Sequence, residues 1–205
     1  MVSRPQSHYR RGHARRAVLL RAAVDEIAES GLEGVTHRSI AARAELPVST
    51  TSYFFGSLDE LIGAAVQHIA EDVVSSIEGL TDDLASTDLD LADFADRLLD
   101  ILSNVRARQV VVQFESYLAT SRRPELIEPV RAIMVALETA AADALAAIGI
   151  SESPAAARQF VALVDGFALH RVAWPRAGED EEFLRDALWR LLNSYLAEAR
   201  SDLTD

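Results

Sequence analysis

The side chains that could do chemistry here fall into two groups, and one of them can be set aside. The five histidines (8, 13, 37, 68 and 170) are scattered, and the chain has no cysteine. No His-Glu-x-x-His pair, no Glu-x-x-His pair for a bundle di-metal site and no glycine-rich phosphate loop is present. The many carboxylates sit at exposed helical positions or in linkers, where a solvated acidic face is the ordinary explanation. Nothing in this set amounts to a catalytic constellation, a metal site or a cofactor site. The second group is different. Arginines occupy positions 4, 10, 11, 15, 16 and 21 with no acid before residue 25, and a hydroxyl run follows at Ser49-Thr50-Thr51-Ser52-Tyr53. Guanidinium groups, short hydroxyls and a phenol are suited to phosphate oxygens and base edges.

Charge is distributed to match. The net charge of −12 argues against a polyanionic partner when read as one number. By segment, residues 1–24 carry +6, whereas residues 57–205 hold twelve arginines against 27 acids. A basic tip on an acidic body can meet phosphates while the remainder keeps the protein off other DNA. Basic tails without a partner are the plain alternative. Absence of cysteine fits a reducing cytoplasm. Arg21 and Asp25 interrupt the apolar run Ala17-Val18-Leu19-Leu20, so neither a signal peptide nor a membrane span is expected, and a cytoplasmic location follows.

The elements that must position these residues are helices; strand-type alternation is missing. Pro5, Gly12, serines and arginines mark residues 1–13 as a disordered basic arm. A first helix is expected from about Ala14 to Ser30, with Val18, Leu19, Ala22, Ala23 and Ile27 inside and Gly31 as its stop. Thr36 is a good N-cap for a short helix ending near Ala44. After Leu46-Pro47-Val48, Ser49 would cap a second short helix ending at Phe54 or Phe55. Ser57 and Glu60 have capping-box spacing for a fourth helix to about Leu80. Five further segments follow, roughly Leu89–Asn104, Arg106–Ser121, Glu125–Ile148, Pro154–Trp174 and Glu179–Arg200. The fold class is all-α with about nine helices.

Two short helices joined by a tight turn, between two longer ones, form a helix-turn-helix arrangement. In its second helix Ser49, Thr50 and Thr51 can reach phosphates or bases, and Tyr53 adds a phenolic hydroxyl. Arg15 and Arg16 stand at the expected start of the first helix, where the macrodipole disfavours cations by a few tenths of a kcal/mol up to about 1 kcal/mol. An external anion would offset that cost, although simple solvation of both arginines is the competing account.

The stretch Gly31-Leu32-Glu33-Gly34-Val35-Thr36-His37-Arg38-Ser39-Ile40-Ala41-Ala42-Arg43-Ala44, followed by Tyr53-Phe54-Phe55-Gly56-Ser57-Leu58-Asp59-Glu60-Leu61, resembles the DNA-binding domain of the tetracycline-repressor (TetR) family. The resemblance covers residues 15–62. It implies a homodimeric transcriptional regulator, by default a repressor, that binds a double-stranded palindromic operator and leaves it when a small-molecule effector binds. Residues 14–56 would form the helix-turn-helix domain and residues 57–205 the ligand-binding and dimerisation domain. Arg15, Arg16, Thr36, Arg38, Ser49, Thr50, Thr51 and Tyr53 would be the DNA contacts. Three positions depart from the family pattern: Glu45 replaces the usual turn glycine, Leu58 the usual lysine, and the tyrosine falls at 53, one place late.

The rest of the chain resembles the family only weakly, so its sites are read from pattern. Apolar residues at helical spacing on the last two segments (Phe160, Val164, Phe183, Leu184, Leu188, Leu191, Leu192 and Tyr195) would make the intersubunit bundle, with a subunit core as the alternative. A pocket is expected from Phe94, Leu98, Gln113, Phe114, Tyr117, Met134, Leu137, Phe167 and His170, polar or bulky residues within otherwise apolar helices. The same residues could equally be core. Asp165-Gly166 is an odd pair for the middle of a helix. An all-helical interaction module without DNA binding is the other function these residues would serve.

Overall fold

The computed structural model describes residues 5–86, 91–103, 106–150, 154–176 and 178–202. Among them every regular element is helical: α1 (Pro5–Gly34), α2 (His37–Arg43), α3 (Val48–Phe54), α4 (Leu58–Ser86), α5 (Leu91–Ser103), α6 (Ala107–Ala119), α7 (Ile127–Ala147), α8 (Pro154–Ala173) and α9 (Glu179–Asp202). A 3-10 turn at Pro124–Leu126 leads into α7.

The helix α1 begins at Pro5, nine residues before the expected Ala14, so residues 5–13 are helical where an unstructured arm was expected. Proline is favoured in the first helical turn, and only Gly12 opposes the helix in this stretch. At the other end Gly31 adopts φ 66°, ψ 168° and breaks α1, as its residue type predicts. Leu19, Ala23 and Ile27 recur at helical spacing and are fully buried.

Contacts divide the chain into two compact units. One comprises Met1–Ile69 with Val111–Arg131, the other Ala70–Val110 with Ala132–Asp205. In the first, α2 packs against both α1 and α3, and Ile40, Phe55, Leu61, Ile62, Val112 and Leu126 are buried. In the second, Leu145, Ile150, Ala156, Ala157, Phe160, Leu184, Leu188 and Leu192 form one core cluster. Ile77, Leu80, Ala140 and Ala144 form another, with Leu98 and Ile101 packed against it.

Candidate nucleic-acid interface

Local chemistry sets the two short helices. Thr36 caps α2: its Oγ1 accepts from Ser39 N–H at 3.0 Å, while Ser39 Oγ accepts from Thr36 N–H at 3.0 Å. Each side chain thus satisfies a backbone donor that the helix end leaves without a partner. At the C-terminus Glu45 takes φ 53°. Its N–H donates to Ala42 O (3.1 Å) and Leu46 N–H donates to Ala41 O (2.9 Å), the paired bonds of a Schellman stop. The turn therefore keeps its glycine-type shape with a glutamate in it. With Ser49 as cap the helix α3 would begin at residue 50; it starts two residues earlier, at Val48. Pro47, not Ser49, holds the cap position, with no side-chain cap and with Thr50 N–H donating to Pro47 O at 2.8 Å. Past Gly56, Ser57 Oγ accepts from Glu60 N–H (3.0 Å) and the Glu60 carboxylate accepts from Gly56 N–H (2.6 Å), which starts α4.

These starts and stops decide which face of α3 looks outward. Val48, Ser49, Ser52 and Tyr53 are exposed, Tyr53 at 81%, and Thr50 is half-buried. Thr51 corrects the expected contact set. It is fully buried, and its hydroxyl donates to Val48 O at 2.7 Å, so it belongs to the packing of α3 and presents nothing to a partner. Positions 48, 49, 52 and 53 share one side of a 3.6-residue helix, and 51 lies on the other.

The arginines separate by partner. Arg15, Arg16, Thr36 and Arg38 are exposed, and no ion pair engages the three arginines among the described residues. The Arg16 guanidinium lies 5.4 Å from the centroid of the buried Phe55 ring, a cation–π contact that holds it beside the end of α3. Arg43 is spoken for. Its Nε donates to Glu26 at 2.6 Å and its other nitrogens to Glu29, which raises its pKa further and ties α2 to α1. Farther along the chain Arg97, Arg131, Arg158, Arg185 and Arg190 also pair with carboxylates. Leu58, in the position usually held by lysine, is half-buried.

Among the described residues, those expected to line a pocket are divided between the two units. Gln113 Nε2 donates to Tyr117 Oη at 2.8 Å, and Phe114 stacks edge-on against Tyr117 with centroids 5.6 Å apart. These three belong to the first unit and are half-buried. In the second unit Leu98 is packed against a core cluster, Leu137 is half-buried and Met134 is exposed. Phe94 falls outside the residues whose side chains are described. Phe167 and His170 line an open cleft of about 370 Å³ between α8 and α9, together with Leu163 and Phe183. Phe167 packs on Phe183 there, centroids 5.4 Å apart.

The expected dimer residues divide by burial. Phe160, Leu184, Leu188 and Leu192 are core residues of the subunit itself, with Val164, Leu191 and Tyr195 half-buried around them. Only Phe183, 66% exposed, offers a large free surface, joined by Leu169 and by Trp174 at 69%. Both helices are apolar on more than one face, and spacing alone does not say which face turns inward. A Cβ on Gly166 would meet nothing within 4 Å, so packing inside the subunit does not require glycine there. Sequence reasoning missed Trp174 and Leu169 because they lie off the regular stripe. It also missed Glu115 and Arg123, which reach the end of α1 from distant positions; no local pattern marks such contacts.

A basic, hydroxyl-bearing helix-turn-helix on an all-helical chain is the architecture of a DNA-binding transcriptional regulator. A family model described as the tetracyclin repressor-like C-terminal domain matches residues 89–194, just over half of the chain. The chain belongs to the TetR family of transcriptional regulators, which are not enzymes. The HTH-type transcriptional regulator BetI of Burkholderia cenocepacia (strain HI2424) is 39% identical over 62 residues, which cover 30% of this chain and 32% of BetI. The aligned stretch spans about a third of the curated relatives it matches. A TetR-family member from Streptomyces coelicolor A3 is 32% identical with a TM-score of 0.66, covering 86% of this chain and 97% of its own. The multidrug binding protein EbrR, solved with ethidium, is 28% identical with a TM-score of 0.64, covering 86% and 98%. Among the described residues no helix is long and apolar enough to cross a membrane.

Proposed function

We propose that this chain is a homodimeric repressor that binds a palindromic operator through α2 and α3 of each subunit and releases it when a small molecule binds. Residues 14–56 act as the reading head, residues 1–13 as a basic extension and residues 57–205 as the effector and dimerisation part. One observation carries the DNA reading. Arg15, Arg16 and Arg38 are exposed and engage no acid among the described residues, in a helix-turn-helix whose α3 exposes Ser49, Ser52 and Tyr53. An acidic chain that pairs so many of its other arginines and leaves these open is suited to an external polyanion. The test is selection of duplexes from a random-sequence pool, followed by mobility shifts at several salt concentrations. Recovery of a palindrome with half-sites about one helical turn apart supports the reading; recovery of no sequence overturns it.

The dimer is supported by membership of the family, and the exposed Phe183 on α9 is the residue among the expected contacts that remains free to serve it. The effector site is assigned to the half-buried Gln113, Phe114 and Tyr117, a polar handle beside two rings. EbrR has been solved with ethidium, proflavin and imidazole. Planar aromatic cations are therefore the first compounds to try here.

A further inference from the structure

Gly31 breaks α1, and a helix end leaves backbone groups without helical partners. The amide that would continue the ladder onto Leu32 O is that of Thr36, and it is turned away to Ser39 Oγ. Leu32 is instead held from far along the chain. Its N–H donates to Glu115 Oε2 on α6 at 2.7 Å, and its carbonyl accepts from Arg123 Nη2 at 3.3 Å. Arg123, just past α6, also donates through Nη1 to Asp59 Oδ1 in the first turn of α4 at 3.2 Å and lies 3.5 Å from Glu33. All of these residues belong to the first compact unit. The Glu115 carboxylate sits against Gly31, where a Cβ would meet its oxygens at 3.4–3.5 Å.

We propose that Glu115 and Arg123 are positioning residues for the DNA-reading helices. By holding both polar groups of Leu32 they fix the α1–α2 junction, and with it the angle at which α2 and α3 leave α1. Neither is among the groups assigned to the DNA face. This assignment rests on the DNA-binding reading above and adds to it the determinants of affinity that lie outside the helix-turn-helix. Both bonds involve an ionised partner, and the one to Glu115 is the shorter, 2.7 Å against 3.3 Å, so the junction is held chiefly by Glu115.

Charge gives the decisive sign. Removing Glu115 takes a negative charge away from a protein that binds a polyanion, so electrostatics alone would tighten binding. Loss of positioning weakens it. The experiment measures full-length wild type, Glu115→Ala, Glu115→Gln and Arg123→Met against a duplex that the wild type selects from a random-sequence pool, across a salt series. The amide resonance of Leu32 is followed by NMR in the same proteins. Glu115→Ala is expected to bind about tenfold more weakly, the factor set by loss of one such hydrogen bond, with the salt slope unchanged. Glu115→Gln, which keeps an acceptor, should recover most of the affinity and the wild-type position of the Leu32 resonance. Arg123→Met should weaken binding without lowering the slope. The proposal is overturned if Glu115→Ala binds equally or more tightly, or if the arginine variant reduces the salt slope. It is also overturned if Glu115→Gln restores the Leu32 resonance but not the affinity, a comparison that holds even if the alanine variant unfolds. Failure of the wild type to select any duplex would instead remove the DNA reading, and this assignment with it.

Discussion

Glu45 is an L-residue at φ 53°, held there by the two hydrogen bonds that stop α2. Left-handed backbone costs a non-glycine residue about 1–2 kcal/mol, partly offset because glycine has more unfolded-state freedom to lose. Glu45→Gly should therefore stabilise the protein by about 0.5–1 kcal/mol. The check is a urea midpoint that rises at constant slope. A second residue-scale prediction separates neighbours on α3. Tyr53→Ala should weaken operator binding about tenfold with little change in melting temperature, because an exposed side chain carries little packing. Thr51→Ala should lower melting temperature by removing a buried side chain and its bond to Val48 O. Equal effects of the two substitutions on DNA binding would contradict the assigned faces. At this scale the capping residue Thr36 and the glycine stop were legible in the sequence, since both act on their immediate neighbours. The burial of Thr51 was not. It depends on where α3 starts, and Pro47 taking the cap position in place of Ser49 moved that start by two residues.

Among the elements, α8 and α9 show what periodicity does and does not convey. Leu184, Leu188 and Leu192 recur every fourth residue, which marks one apolar stripe. They proved to face the subunit's own core, alongside Phe160 and Leu145. A stripe establishes that a face is covered; what covers it depends on the other helices and stays outside the reach of spacing. The two cases respond differently to charge. Leu188→Glu places a carboxylate in a packed core and should unfold the subunit, with a loss of several kcal/mol. Phe183→Glu, on an exposed ring, should leave the melting of the subunit nearly unchanged but shift sedimentation from dimer to monomer and abolish binding to the full palindrome. A wild type that sediments as a monomer at micromolar concentration would remove the dimer itself. The same contrast holds for the arginines. Arg15 and Arg16, open on α1, should flatten the salt dependence of DNA binding when both become alanine. Arg43→Met, by contrast, should destabilise by about 1–2 kcal/mol, because Glu26 is left nearly buried without its partner.

For the whole molecule the question is how an effector could be felt at the DNA. The helices α4 and α6 each contribute residues to both compact units. The Gln113–Tyr117 pair lies on α6, and Glu115, which holds Leu32, is on the same helix between them. A ligand that engages Gln113 or Tyr117 thus acts within one helical turn of a contact to the reading head. It can move the equilibrium only by binding one state better than the other; a difference of about 1–3 kcal/mol changes DNA affinity roughly 5–150-fold. Linkage requires the reverse as well: operator DNA must weaken the same ligand by the same factor. The prediction is that compounds raising the melting temperature of the free protein will weaken operator binding. Tyr117→Phe, which loses the hydroxyl that Gln113 meets, should reduce their effect while leaving DNA binding of the ligand-free protein intact. Phe167→Ala, in the α8–α9 cleft, should leave ligand affinity unchanged. If the Phe167 variant loses the compounds and the Tyr117 variant keeps them, the effector site is the cleft and not α6. If stabilising compounds never alter operator affinity in either direction, the two sites are not coupled, and release by a small molecule is not how this regulator works.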